Sequence, residues 1–324
     1  MSEQVKAKKK TGFSEIAVKY GTLIFLILIC IVFSVLRPKT FLSLGNVLTI
    51  LRQIVILSIL GGGLTVVMIT NRIDLTIGYT TSFLGIVAAA LMVDFGVPVW
   101  AAAIITLLAG ALLGSLSGVA VAIIGIPDFI ATLSIGFLIS GFNQSYTKGH
   151  PISGLPNEFG IFGSKFFKGI PTSIFFMIIF LIIIFVLLNY TRFGRHVYAI
   201  GGNEEATMMS GVNVKKNLIL AYVVSGIGAA LAAMILASKL GTAHPTAGDN
   251  YLMEALATVY VGATAFKSGE PNIAGTFVGA MIIGVLTNGL TLCNVQYYNQ
   301  DIAKGLVIFL AVTLTSIQRM RKKK

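Results

Sequence analysis

The residues able to do covalent or metal chemistry in this chain are few and scattered. His150, His196 and His244 lie in separate loops, with no HExxH helix and no paired carboxylates beside them. Cys30 and Cys293 lie in or beside apolar runs without metal-ligand spacing and read as packing residues. No G-x-x-x-x-G-K-[ST] loop occurs, so the chain lacks the usual cradle for nucleotide phosphates, and no nucleophile sits in an evident constellation with a base. What remains is recognition chemistry. The amides Asn143, Gln144 and Asn288, with Thr287, interrupt apolar stretches, where they can bond a neutral solute or a neighbouring helix. Asp74, Asp249 and Glu254 stand at the edges of apolar runs.

One long polar run, 191–216, reads TRFGRHVYAIGGNEEATMMSGVNVKK. It has a basic cluster at each end: Arg192, Arg195 and His196 open it, and Lys215 and Lys216 close it. Gly201-Gly202 is expected to break the chain direction. Asn203 is a good helix N-cap, because its side chain accepts a free backbone N–H. Glu204 and Glu205 then fall in the first turn, where the helix dipole favours negative charge. Ala206 through Met208, Met209 and Ser210 completes two turns, and Gly211 can end the helix. Adjacent methionines on a short helix suit a groove in a partner. By composition alone, a solvated helix that touches nothing is equally admissible.

The elements that position these groups follow from composition. The chain is 56% hydrophobic and 11% charged, with mean hydropathy +0.89. A soluble domain carries about 25% charged residues, so lipid must be the solvent here. The net charge of +12 does not indicate nucleic acid. The basic residues sit at chain ends and loop edges rather than interleaved with aromatics on one face, which is a topology signal. Apolar runs separated by Pro, Gly and charged breakers predict ten spans: 20–36, 47–70, 79–93, 99–124, 129–147, 172–190, 217–239, 251–266, 272–292 and 301–318. The first is longer than the apolar core of a signal peptide and no small-residue cleavage site follows it, so it reads as a retained helix.

The expected fold is therefore an all-α polytopic membrane protein of about ten helices. A basic tail, 1–19, precedes the transmembrane body, 20–318, and a basic tail, 319–324, follows it. With both termini cytoplasmic, twice as many lysines and arginines fall inside as outside, as the positive-inside rule requires. This places 191–216 in the cytoplasm and 148–171 outside. Ten spans divide into two sets of five of opposite direction, so any repeat between the halves would be inverted.

Four sequence stretches carry a resemblance. They are NRIDLTIG at 71–78, IPDFIATL at 126–133, RFGRHVYAIGGN followed by SGV in the polar run, and PNIAGTFVGAMIIGVLTN at 271–288. Together they resemble the membrane permease subunits of bacterial sugar importers of the ATP-binding-cassette class, in the branch that includes ribose, xylose and arabinose systems. The likeness runs from about Val47 to Gln318. One departure is Asn71-Arg72, where the family commonly has two glycines. The resemblance implies a permease of the bacterial plasma membrane that performs no covalent chemistry and binds no cofactor. It implies a cytoplasmic ATPase docked at Gly201–Gly211, an extracytoplasmic sugar-binding protein, and a second permease subunit, identical or homologous. The solute implied is a monosaccharide. A nucleoside, a branched-chain amino acid or a furanosyl signalling molecule fits the same architecture, and an ion-coupled carrier is the rival of another class.

Several roles are open at this level. Amides with an aromatic wall, here Phe137 and Phe142, suit a sugar on the path, whereas interhelical bonding is the plainer role for Asn143, Gln144 and Asn288. Glu254 matches a family position and can cap a helix or shape the outer mouth. Asp74 can pair with Arg72 or cap the following helix, or it can face the path. Gly61-Gly62-Gly63 is either a close-packing site or an unwound segment, which would place Gly62 on the path.

Overall fold

The computed structural model describes residues 13–266 and 269–322, so part of each expected tail (1–12 and 323–324) lies outside the described residues. The chain is built from helices, with only four two-residue strands among the described residues. The helices are α1 Phe13–Leu36, α2 Pro38–Phe41, α3 Leu44–Ile69, α4 Ile77–Val93, α5 Val99–Val119, α6 Asp128–Thr147, α7 Thr172–Tyr190, α8 Arg192–Gly202, α9 Glu204–Met209, α10 Val214–Leu240, α11 Tyr251–Ala263, α12 Ile273–Leu292 and α13 Tyr297–Lys322. A π-helical turn, Ala120–Ile124, extends α5 to Gly125, whose φ of +83° closes it. The first helix starts earlier than expected: residues 13–19, assigned to the basic tail, are already helical.

Side-chain caps set several of these boundaries. The Ser43 hydroxyl accepts from Asn46 N–H to open α3, and Asn272 Oδ1 accepts from Gly275 N–H at 2.8 Å to open α12. Prolines 98, 127 and 171 stand immediately before α5, α6 and α7, where a missing N–H costs nothing.

Among the described residues, five helices are long and apolar enough to cross a bilayer: Leu44–Ile69, Val99–Ile124, Thr172–Tyr190, Val214–Leu240 and Ile273–Leu292. Three shorter apolar helices accompany them, Gly21–Leu36, Ile77–Val93 and Tyr251–Ala263. The outer faces are apolar. On α7, Ile178, Ile179, Ile182 and Ile183 are all exposed, as are Leu108, Leu112 and Leu116 on α5. A band of exposed aliphatics this continuous is untenable in water and required in lipid.

α3 and α10 form the centre. From Ile54 to Ile69 every residue of α3 is buried. α10 lies between α3, α4 and α5, and α3 in turn contacts α11 and α12. Small residues let these backbones approach. A side chain at Gly110 or Gly226 would strike the other's carbonyl across α5 and α10, and Gly262 and Gly275 stand in the same relation across α11 and α12. The triple glycine is part of this packing. Gly61 meets Thr258 and Thr276, Gly62 meets Leu181 and Phe180, and Gly63 meets the Ser225 backbone. α3 runs through all three without a break, so the unwound alternative for Gly62 is not what the structure shows.

Two stretches at the heart of the bundle are not helical: 70–76, between α3 and α4, and 241–250, between α10 and α11. Within the second, Thr242–Ala243 pairs antiparallel with Ile152–Ser153. The second break packs on the first turn of α4, where Gly78 meets the carbonyls of Gly248 and Asp249. Gly248 N–H donates to Ser82 Oγ, which donates to Asp249 Oδ1 at 2.7 Å. Irregular backbone in an apolar setting persists only where protein groups satisfy it.

Candidate functional site

The polar run 191–216 folds as two short helices rather than one. Thr191 Oγ1 accepts from Gly194 N–H and starts α8. Gly194, Val197 and Ile200 are buried against the bundle, while Arg192 and Arg195 are exposed. Gly201-Gly202 does not break the chain, contrary to expectation; both glycines end α8. At Gly201 a Cβ would strike the carbonyl of Ile69, so its lack of a side chain serves close approach to α3. The turn occurs at Asn203, whose extended backbone redirects the chain and whose Oδ1 accepts from Ala206 N–H at 2.9 Å. α9 then carries Glu204 and Glu205 in its first turn, and Gly211, at φ +80°, follows its end. Of α9 only Thr207 is buried; Met208 is 58% and Met209 85% exposed. The cap is exposed, so Asn203→Ala should cost about 1 kcal/mol locally. Faster hydrogen exchange at Ala206 and Thr207, with no change in global melting, would check this.

The stretch 70–76 ties this surface to the bundle centre. Asn71 Nδ2 donates to Gly201 O, and Arg72 forms a 2.8 Å ion pair with Glu204. Ile73 N–H donates to Asp128 Oδ2 at 2.6 Å, and Tyr222 OH donates to Ile73 O. Leu75 N–H donates to Thr132 Oγ1. The Asp74 carboxylate accepts from Thr76 N–H at 3.0 Å and from Ser225 Oγ at 2.7 Å. Ser225 lies about 16 Å along α10 from its first residue, at 1.5 Å per residue. Asp74 thus caps the approach to α4 and does not pair with Arg72. At 2% exposure it has no free face for a solute. On the other side of α8, burial pushes the Tyr198 phenol up, and the charge of Glu270 adds to this, so the phenol stays neutral where α8 meets the α11–α12 connection.

The remaining expected path residues do not converge. Asn143 is buried and its Nδ2 donates to Pro245 O at 2.7 Å, clamping the 241–250 stretch. Asn288 Nδ2 donates to Asn46 Oδ1 at 3.0 Å, a bond between α12 and α3. Gln144, Phe137 and Phe142 are exposed on α6, where Phe137 meets Tyr79 in a tilted ring contact. Gly62 packs on α7.

Glu254 lines a cavity, together with Thr287. This cavity, about 160 Å³, lies between α3, α10, α11 and α12. Gln53, Lys239, Tyr251, Glu254 and Thr287 provide its polar groups, and Leu57, Ile283 and Gly284 its apolar wall. Glu254 is held by Lys304 at 2.8 Å, and Lys304 also meets Asp301 at 3.0 Å. Gln53 was legible in principle, as an amide inside the apolar run LRQIVILS, by the same reasoning that singled out Asn143. Lys239 and Tyr251 carried no such signal, because they stand at helix ends where polar residues are ordinary.

Residues 46–312 match the family described as branched-chain amino acid transport system / permease component. The chain is 40% identical to the ribose import permease protein of Haemophilus influenzae, over 91% of this chain and 92% of the relative. It is 38% identical to the ribose import permease protein of Bacillus subtilis, over 97% and 98%. It is 32% identical to the D-allose transport system permease protein of Escherichia coli K12, over 97% and 96%. No solved structure matches the chain significantly.

Proposed function

The chain belongs to the permease-component family of branched-chain amino acid transport systems, and from that premise we propose that it is the membrane permease subunit of an ATP-driven importer for a monosaccharide. The observation that carries this reading is its similarity, at about 40% identity over nine-tenths of its length, to proteins that import ribose. The chain is a transporter and not an enzyme; ATP is hydrolysed by a separate partner.

In this reading α9 is the docking element for the ATPase. Its capped, acidic first turn and exposed methionines suit a groove in a soluble partner. The stretch 70–76 carries the movement inward, because its bonds link α8 and α9 to α6 and to Ser225 on α10. The importer sits in the bacterial plasma membrane with both termini and α9 cytoplasmic, in accord with the distribution of basic residues. A binding protein delivers solute to the opposite face, and a second permease, identical or homologous, completes the path.

Ten spans, α1, α3 to α7 and α10 to α13, make up the transmembrane body. Their packing supports an inverted five-plus-five plan. α4 and α5 contact α10 as α11 and α12 contact α3, and α4 contacts α5 and α6 as α11 contacts α12 and α13. The start of α4 and the break before α11 meet at Gly78 and Gly248, where the axis relating the halves would pass.

The test is reconstitution in vesicles with the ATPase and the binding protein. ATP-dependent uptake of D-ribose or another monosaccharide is expected. Uptake by the permease alone, without ATPase, would overturn the reading in favour of a secondary carrier. The linkage through Arg72 gives a second expectation. The ion pair is exposed, so Arg72→Ala should change stability by no more than about 1 kcal/mol. Arg72→Glu faces Glu204 with a like charge and should lower uptake several-fold per ATP hydrolysed, and Glu204→Arg in the same chain should restore it. Unchanged coupling in Arg72→Glu would remove this contact from the transmission.

A further inference from the structure

We propose that the cavity between α3, α10, α11 and α12 is a binding waypoint for a neutral polyhydroxyl solute, with Gln53 and Lys239 as its principal hydrogen-bonding groups. This deepens the importer reading and rests on it. The observation that points to a ligand is Gln53. Its Oε1 is buried and has no hydrogen-bond partner among the described residues. A buried carbonyl oxygen without a donor is costly; the oxygens of Asn143 and Asn288 are in the same condition, but Gln53 lines this cavity and they do not. Lys239 lines the same cavity and has no acidic partner among the described residues. A sugar presents several hydroxyls, able to donate to Gln53 Oε1 and to accept from the ammonium.

The rest of the lining has the same character. Tyr251 and Thr287 bring hydroxyls that donate or accept, and an aliphatic wall is present for the C–H face of a sugar ring. A zwitterionic amino acid fits less well. Lys239 could meet its carboxylate, but the acid lining the cavity, Glu254, is already engaged by Lys304 at 2.8 Å, an ammonium it shares with Asp301. The amino acid's ammonium would have to compete with Lys304 for Glu254. The cavity opens between the central helices, and each of the four contributes at least one lining group, so any relative movement of these helices alters it. That is the property required of a site that must release its solute.

The experiment compares Gln53→Leu, Lys239→Met, Thr287→Val and Thr287→Ser in vesicles with ATPase and binding protein, using D-ribose, D-galactose and L-leucine as probes. Gln53→Leu and Lys239→Met are each expected to reduce sugar uptake about tenfold. Thr287→Val should reduce it less, and Thr287→Ser should transport normally. The decisive second readout is thermal stability without sugar. Gln53→Leu removes an unpartnered buried oxygen and should melt at or above the unsubstituted protein, whereas a merely structural Gln53 would make stability fall with uptake. Unchanged sugar uptake in both Gln53→Leu and Lys239→Met would overturn the waypoint while leaving the importer reading intact. L-leucine uptake by the unsubstituted protein, with no sugar uptake, would overturn the solute class. No ATP-dependent uptake of any probe by the unsubstituted protein would instead remove the importer reading on which the proposal rests.

Discussion

Substituting Met208 and Met209 together by aspartate is expected to abolish ATP-driven uptake, by about a hundredfold or more, without disturbing the bundle. Both side chains face water in the isolated chain, at 58% and 85% exposure, so their replacement removes almost no internal packing. In a docked complex the same two side chains would be the apolar anchors of α9. Losing two such anchors costs about 3 kcal/mol or more, and each 1.4 kcal/mol is a factor of ten in affinity. The new carboxylates would also stand beside Glu204 and Glu205, concentrating negative charge on one short helix. The variant should reach the membrane, melt like the unsubstituted protein and fail to co-purify with the ATPase. Normal uptake and normal co-purification would show that α9 is a solvated surface helix and that the ATPase engages elsewhere.

The largest effect on folding is expected at Gly226. Its Cα lies against the carbonyl of Gly110, and Gly110 in turn lies against the carbonyl of Gly226, so neither backbone has room for a side chain. Gly226→Leu must push α5 and α10 apart at their closest approach. Ordinary overpacking costs about 1–3 kcal/mol. Here the obstruction is backbone rather than a side chain able to turn away, so the cost should lie at or above that range. A second loss follows, because the adjacent Ser225 holds the buried Asp74 carboxylate, and a shift of α10 leaves that carboxylate short of a donor. The expected result is little monodisperse protein in detergent. The contrast is Gly202→Ala: nothing lies within 4 Å of a Cβ built there, and the change should be neutral or stabilise the end of α8 by up to about 1 kcal/mol. If Gly226→Leu behaved like Gly202→Ala, the close α5–α10 contact would not be what holds these helices together.

The sequence by itself determined the membrane class, the positions of the long helices to within several residues at most ends, and the short capped helix after Asn203. These follow from local causes: the length of an apolar run, a proline or glycine that stops it, and a side chain that reaches a backbone amide three residues away. The motifs at 71–78, 126–133, 192–203 and 271–288 were legible for the same reason and pointed to the family that the matches show. Partners of the polar groups were not legible. Asp74 and Arg72 are two residues apart, yet Asp74 bonds Ser225 and Arg72 bonds Glu204, each more than a hundred positions away. Asn143 and Asn288, chosen because amides in apolar runs can meet a solute, were already used by Pro245 and Asn46. Their oxygens stay without a donor, as does that of Gln53, but Gln53 lines the cavity between α3, α10, α11 and α12. Whether a buried amide is structural or available depends on which helix packs opposite it and at what distance. In this bundle those distances are set by glycine contacts between segments remote in sequence, such as Gly110 with Gly226, and only the tertiary structure decides them.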